Sequence, residues 1–238
     1  MNFADIHIHA LFDVDDGPKT ERDMQHVVDT VYADGTRVLC LTPHYHPGYF
    51  GENREKVEHS FEILTRYVRE KYPDLELYLG NELRYSPEAM SWLADGACRT
   101  MNGTDFVLVD FYQDERQKAI VHALESLMNG GYTPILAHAE RYPNLSVRMV
   151  QDLSRNGVWI QLDVRSLLGG CGFGAKFRSN ALLKAGLVDV VSSDAHDLSK
   201  RVPGLAKGYR YVARRYSQEY ADGIFYENAV RILQGGNQ

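Results

Sequence analysis

The sequence predicts an α/β protein built on a parallel sheet, and three observations lead there. Seven short apolar runs alternate with longer amphipathic stretches along the 238 residues. Turn signals containing glycine stop several of the amphipathic stretches just before the next apolar run. No linker, low-complexity tract or internal repeat divides the chain, so residues 1–238 read as a single domain. Strands that alternate with helices pair in parallel through right-handed crossovers.

The elements follow in order. The first strand is expected over Phe3–His9, and the helical pattern Glu21–Asp34 runs to the Asp34-Gly35 stop. Strand Arg37–Thr42 precedes helix Arg54–Lys71, and strand Glu76–Gly80 precedes the short helix Pro87–Leu93. Strand Asp105–Val109 leads to helix Gln113–Asn129, which Gly130-Gly131 ends. Strand Thr133–Ala137 is followed by helix Ser146–Asn156, and strand Val158–Leu162 by helix Lys176–Ala185. Asn156-Gly157 and Ala185-Gly186 stop those two helices, because glycine accepts the left-handed backbone that a helix end often needs. The last strand, Val188–Ser192, precedes helices Leu205–Arg215 and Glu219–Leu233. Such a sheet is either open and doubly wound or closed into a barrel. No GxGxxG follows the first strand and no GxxxxGK[ST] occurs, which removes the usual nucleotide-binding grounds for the open form.

The composition narrows the class. An apolar fraction of 44% and a charged fraction of 24% are ordinary for a globular protein with a large core. No apolar run reaches the ~18–20 residues of a membrane span, and no basic-then-apolar leader opens the chain. A cytoplasmic location is therefore expected. The net charge of −6 speaks against a nucleic-acid partner but not against phosphate substrates, since bound cations reverse a local field. Cys40, Cys98 and Cys171 are scattered and none has an arginine six positions on, so thiol-based phosphatase chemistry is excluded.

The strand ends carry the chemistry. His7 and His9 close the first strand, with Asp16 beyond; His44 follows the second, Glu82 the third, Asp110 the fourth, His138 the fifth, and Asp194 with His196 the seventh. In a parallel barrel the catalytic groups gather at the rim formed by the carboxyl ends of the strands. Residues i and i+2 of a strand share a side, so His7 and His9 are expected to converge on one ion, with Asp194 and His196 reaching it from across the barrel. Imidazole and carboxylate donors without thiolate suit manganese, iron, zinc or magnesium. These nine ligand candidates are enough for two or three ions, and Glu82 is placed to bridge them. His26, His59 and His122 lie within helical patterns and read as surface residues. His46, two positions beyond His44, is a candidate outer group or proton donor.

At this point the chain resembles a known group. His7-Ile8-His9, Asp13-Val14-Asp15-Asp16-Gly17-Pro18, Thr42-Pro43-His44, Glu82, His138-Ala139-Glu140-Arg141-Tyr142 and Ser193-Asp194-Ala195-His196 resemble the PHP superfamily. Within it they look most like the bacterial manganese-dependent protein-tyrosine phosphatases of capsule and exopolysaccharide operons, the CpsB/YwqE type. The resemblance runs in order from residue 4 to residue 201. It implies a distorted (β/α)7 TIM-like barrel, the PHP fold, with a three-metal Mn2+ centre. His7, His9, Glu82 and Asp194 would hold one ion, Glu82, Asp110 and His138 a second, and Asp16, His44 and His196 a third. Arg141 and Arg201 match arginines expected to grip the substrate phosphate. The family commonly has glutamate where this chain has Asp110.

The expected reaction is hydrolysis of a phosphate monoester by a water that loses its proton beside the metals and attacks phosphorus in line. The arginine fork suits the phosphoryl oxygens. A phenolate leaving group, of unperturbed pKa ~10, requires little acid assistance, so phosphotyrosine is a reasonable substrate. The aromatic loop His44–Phe50 is expected at the mouth of the site. The resemblance names the tyrosine-rich tail of a bacterial tyrosine kinase as the partner. The alternatives are a histidinol-phosphate or other small-molecule PHP-type phosphatase and, further off, an amidohydrolase. No lysine stands at the end of the fourth strand for the carboxylated-lysine form of the latter.

Overall fold

The computed structural model describes residues 2–50 and 54–235. The ends of the expected 1–238 domain and residues 51–53 lie outside the described residues. Nine strand segments form: β1 (Phe3–Ile8), β2 (Thr36–Leu41), β3 (His44–Tyr45), β4 (Glu76–Leu79), β5 (Glu82–Arg84), β6 (Phe106–Asp110), β7 (Thr133–Leu136), β8 (Trp159–Asp163) and β9 (Val190–Ser192). Every ladder among them is parallel. They make a three-stranded sheet, β1-β2-β4, and a six-stranded sheet, β3-β5-β6-β7-β8-β9, which together curl into a parallel α/β wall.

The expected second and third strands, Arg37–Thr42 and Glu76–Gly80, form as β2 and β4, and each resumes beyond a break as a short segment the sequence pattern did not include, β3 and β5. Pro43 interrupts the second because it has no N–H for the ladder. The third breaks at Gly80, where a Cβ would meet the Met101 sulfur at 3.1 Å and the Thr100 carbonyl at 3.3 Å. Hydrogen bonds span the breaks: Gly80 N–H donates to the Leu41 carbonyl at 2.9 Å, and Glu82 N–H to the Pro43 carbonyl at 3.2 Å. Asn81 locks the kink, its Nδ2 donating to the Pro43 carbonyl at 2.9 Å. The kink is what turns His44 and Glu82 into a hydrogen-bonded register pair.

The helices are α1 (Glu21–Ala33), α2 (Arg54–Lys71), α3 (Ala89–Ala94), α4 (Gln117–Asn129), α5 (Val147–Arg155), α6 (Val164–Leu168), α7 (Phe173–Lys184), α8 (Leu205–Arg215), α9 (Gln218–Asp222) and α10 (Asn228–Leu233). Thr20 and Ser146 cap α1 and α5 through their side-chain oxygens, satisfying one of the free N–H groups at each start. Asp163 does the same for α6, a helix the sequence pattern did not announce. The expected helix Glu219–Leu233 is interrupted by a π turn at Gly223–Glu227, which buries both Ile224 and Phe225.

Beneath the strand ends lies an apolar floor. Ala4, Ile6, Val38, Leu108, Ile135 and Val190 pack together, with Ile232 and Leu233 of α10 against them. Each of these strand residues precedes a polar residue of the same strand or of the loop that follows it. Truncating Ile6, fully buried, to alanine would cost about 2–5 kcal/mol, because the surrounding strands cannot collapse into the gap. That rigidity holds the strand ends, and the groups on them, at fixed separations.

Candidate metal centre

Two backbone devices set the first histidines and their partners. The β1–β2 register shifts between Asp5 and Ile8, a bulge-like irregularity of the kind that re-aims a side chain. The segment after β9 then pairs with β1: Asp194 N–H donates to the His7 carbonyl at 2.8 Å and His9 N–H to the Ala195 carbonyl at 2.9 Å. The expectation that Asp194 and His196 reach the site from across the barrel is thereby corrected. They stand beside His7 and His9, and strand geometry does not persist to Asp194, whose φ is 48°. His138 also sits in the left-handed region, with φ 33°. Non-glycine residues occupy that region at a cost, and they concentrate at functional sites.

The side chains converge. His7 Nε2 lies 3.2 Å from Glu82 Oε1 and 3.5 Å from Asp194 Oδ1, and His9 Nε2 lies 3.3 Å from Glu82 Oε2 and 3.6 Å from Asp194 Oδ1. His44 Nδ1 is 2.6 Å from Glu82 Oε2. Asp16 Oδ1 stands 3.3 Å from His44 Nε2 and 3.1 Å from His196 Nε2. His138 Nε2 is 3.0 Å from Glu82 Oε1. Three groups have ligand atoms all within 4.8 Å of one another: His7, His9 and Asp194; His7, Glu82 and His138; and His9, Asp16, His44 and His196.

Asp110 is the exception among the expected ligands. Its Oδ1 accepts from the Tyr142 hydroxyl at 2.9 Å and its Oδ2 lies 2.5 Å from Arg84 Nη2, leaving Oδ1 3.6 Å from His138 Nε2. His46 belongs to none of the three groups. Its ring stacks on Tyr49 with centroids 4.5 Å apart, and its Nε2 is 3.4 Å from the Tyr112 hydroxyl. Burial, with Arg84 nearby, lowers the pKa of that imidazole.

The donor set fits metal ions. His7 Nε2, His9 Nε2, His196 Nε2 and Glu82 Oε2 are buried and make no well-formed hydrogen bond among the described residues. Buried polar atoms are otherwise almost always satisfied, so donor atoms crowded against carboxylate oxygens without good hydrogen-bond geometry suit a shared cation. Burial opposes charge on His7, but Glu82 and Asp194 outweigh it and raise the imidazole to about 9. His44 is raised in the same way against its burial, by Glu82 and Asp16. Burial and the neighbouring His9 instead press His196 down to about 4. Glu82 and Asp194 stay well below the usual carboxylate range despite burial, because His7 faces both. A divalent cation would take over the role that protonated imidazoles play here.

Around the candidate ligands stands a layer of residues to which the sequence alone assigns no role. Asp15 Oδ2 lies 2.8 Å from His9 Nδ1 and accepts from His44 N–H at 3.0 Å. Gln161 Oε1 lies 3.2 Å from His7 Nδ1 and accepts from His138 N–H at 2.6 Å. Such partners fix the tautomer and direction of a ligating ring. Gly17 lets the acidic loop press against β1, since a Cβ there would collide with the His9 carbonyl. The signal in the sequence was the doubled aspartate before Gly17, which does not say which one faces the metals.

Both expected arginines reach this centre. Arg141 Nη2 bonds to Asp163 and, at 2.6 Å, to Asp194 Oδ2. Arg201 Nη2 donates to Asp194 at 3.0 Å and its Nη1 to Asp16 at 3.2 Å. Two guanidiniums beside a carboxylate-rich candidate metal centre are suited to an oxyanion.

Residues 3–234 match the profile of the family described as capsular polysaccharide synthesis, CpsB/CapC. The chain belongs to the CpsB/CapC family. It is 32% identical over 237 residues to the tyrosine-protein phosphatase CpsB of Streptococcus agalactiae, covering 97% of this chain and 98% of that one. To the tyrosine-protein phosphatase YwqE of Bacillus subtilis it is 30% identical over 202 residues, covering 83% and 78%. A crystal structure from the work on B. subtilis YwqE and Streptococcus pneumoniae CpsB, described as metal-dependent tyrosine phosphatases, superposes with a TM-score of 0.88 at 26% identity, covering 98% of this chain and 94% of that one. The Escherichia coli phosphotriesterase homology protein shares the fold alone, at TM-score 0.63 and 12% identity. In this CpsB/CapC chain, therefore, the curled parallel wall and the clustered histidines and carboxylates accompany a family of metal-dependent phosphatases.

Proposed function

We propose that this chain is a metal-dependent protein-tyrosine phosphatase. The observation that carries the reading is Asp194, whose carboxylate faces His7 and His9 on one side and Arg141 and Arg201 on the other. That arrangement ties a metal-ligand cluster to an oxyanion grip. His7, His9, Glu82 and Asp194 would hold one ion, Glu82 and His138 a second with Asp110 close by, and Asp16, His44 and His196 a third. Mn2+ is the expected metal, with iron, zinc or magnesium also compatible with these donors.

Cations held by these residues would supply a water nucleophile at neutral pH and neutralise charge on the phosphoryl oxygens. The chain's own residues do the rest. Arg141 and Arg201 bind and orient the phosphoryl oxygens. Asp163 holds Arg141 in place from behind. Phe50, stacked on His44 at 5.6 Å, and Tyr49, 74% exposed, offer ring surface to the phenol. His46 stands at that mouth stacked on Tyr49, and its lowered pKa speaks for a group that shapes the opening rather than for the proton donor the sequence suggested.

The nine strand segments read as seven strand lines once β2 is joined to β3 and β4 to β5, with the Ile8–Ala195 bridge closing the ring. This supports a distorted (β/α)7 barrel acting as one unit over residues 1–238. No described helix is long and apolar enough to cross a membrane. A phosphotyrosine protein, the tail of a bacterial tyrosine kinase in polysaccharide production, is the proposed partner.

The test combines elemental analysis with turnover of a phosphotyrosyl peptide and of histidinol phosphate. Metal-loaded protein should favour the peptide, and chelation or Asp194→Ala should abolish activity by more than the ~10–100-fold typical of outer-shell partners. A preference for histidinol phosphate would overturn the substrate, and full activity after chelation would overturn the metal.

A further inference from the structure

A cavity of about 570 Å³ opens beside the metal centre, lined by Gln113, Arg141, Arg165, Cys171, Arg178 and Arg201 among others. That volume is in the range of small-molecule sites and exceeds what one phosphoryl group needs. Among the described residues no carboxylate lines it. Arg141 and Arg201 are each bonded to carboxylates of the metal centre. The other two arginines are held differently. Arg165 Nη1 donates to the Lys200 carbonyl at 2.8 Å and its Nη2 to the Cys171 sulfur at 3.0 Å, while its nearest carboxylate oxygen, on Asp163, is 4.0 Å away and already shared with Arg141. Arg178 Nε donates to the Glu140 carbonyl at 2.5 Å, and among the described residues it pairs with no carboxylate. Backbone carbonyls thus fix both guanidiniums in direction without neutralising them.

Residues 164–187, which supply Arg165 and Arg178, contain four lysines and arginines and no aspartate or glutamate, in a chain whose net charge is −6. A cationic wall whose only carboxylate partner among the described residues is a long, shared one suits an anion, because like charges held together repel until a counter-charge binds. On the same helix, Phe173 and Phe177 are 85% and 68% exposed. Their i, i+4 spacing puts them side by side, one residue before Gly174 and Arg178, which line the cavity. Exposed rings beside a cationic cavity suit a peptide segment rather than a free small anion.

We propose that Arg165 and Arg178 form a second anion subsite, which selects peptides carrying another anionic side chain close to the phosphotyrosine being hydrolysed. The inference rests on the phosphatase reading above. A second phosphotyrosine and a glutamate or aspartate share the required chemistry, an oxyanion on a side chain.

The test compares kcat/KM of metal-loaded protein on phosphotyrosyl peptides whose neighbouring position, at several spacings, holds phosphotyrosine, glutamate or glutamine. A small aryl phosphate serves as the reference substrate. At one spacing the anionic peptides should exceed the glutamine peptide by about tenfold, the scale of one charge-assisted contact. Arg178→Gln and Arg165→Gln should each reduce that ratio, and the ratio cancels any general loss of activity. Preference for phosphotyrosine over glutamate assigns the subsite to a second phosphate, and equal preference assigns it to either anion. Equal rates on all three peptides, or a ratio unmoved by both substitutions, would overturn the subsite while the phosphatase reading stands. Failure to hydrolyse the aryl phosphate and every peptide would overturn the phosphatase reading itself.

Discussion

Arg84 Nη2 lies 2.5 Å from Asp110 Oδ2, and this pair holds the Asp110 carboxylate back from His138. The Tyr142 hydroxyl takes the other oxygen at 2.9 Å. An aspartate at this rim position is therefore tied to two protein partners, with only a 3.6 Å approach to the neighbouring imidazole.

A longer acid should close that gap. Asp110→Glu is expected to raise metal occupancy beside His138 and Glu82 severalfold, with the fold unchanged. Metal content per protein after dialysis against limiting Mn2+ checks it. Lower occupancy than wild type would show that Asp110 already binds in full.

Asp15 is expected to act through its neighbours rather than on substrate. It braces His9 by side chain and His44 through the backbone. Asp15→Asn keeps the acceptor for Gly17 N–H but weakens the imidazole partner, so metal affinity should fall by ~10–100-fold. Calorimetric titration of the metal-free protein measures this, and near-normal circular dichroism should accompany it.

The pH dependence follows from His7, raised to about 9 from its ordinary 6.5 in the metal-free protein. A raised folded-state pKa contributes stability that is complete below 6.5 and disappears as pH rises through 9. Metal binding needs the neutral ring and replaces that contribution with coordination. The Tm difference between metal-loaded and chelated protein should consequently widen from pH 6.5 to 9. A gap that narrows over this range would contradict the assignment of His7 as a ligand.

The aromatic mouth gives a kinetic signature. Tyr49→Ala should raise KM for aryl phosphates about threefold to tenfold with little change in kcat, because a ring contact made equally in ground and transition states affects binding alone. Phe50→Ala should lower kcat as well, since Phe50 stacks on the proposed ligand His44. An unchanged KM in both variants would remove the loop from the substrate site.

Much of the molecule is legible in local pattern. Helices Arg54–Lys71 and Leu205–Arg215 have the bounds that periodicity predicts, because their apolar stripes and stops lie within a few turns. The same holds for the identity of His7, His9, His44, Glu82, His138, Asp194 and His196 as gathered groups. Strand order delivers each residue type to one rim, and no distant contact has to be known. The resumption of the strand past Gly80 as β5 was less legible, since it depends on Asn81 and Glu82 bonding to the distant Pro43 carbonyl.

By itself, the sequence determined the α/β class, the order of elements and which imidazoles and carboxylates could share ions, since residue type and spacing are properties of short segments. Only the tertiary structure decided how those groups stand to one another. It set Asp194 beside His7 instead of opposite, gave Asp15 and not Asp16 to His9, tied Asp110 to Arg84, and left Arg165 and Arg178 without full charge partners. Each of these depends on contacts between residues far apart in the chain or on one backbone angle, such as the φ of 48° at Asp194. Periodicity carries no record of either, because it reports which face of an element is buried and not what lies against it.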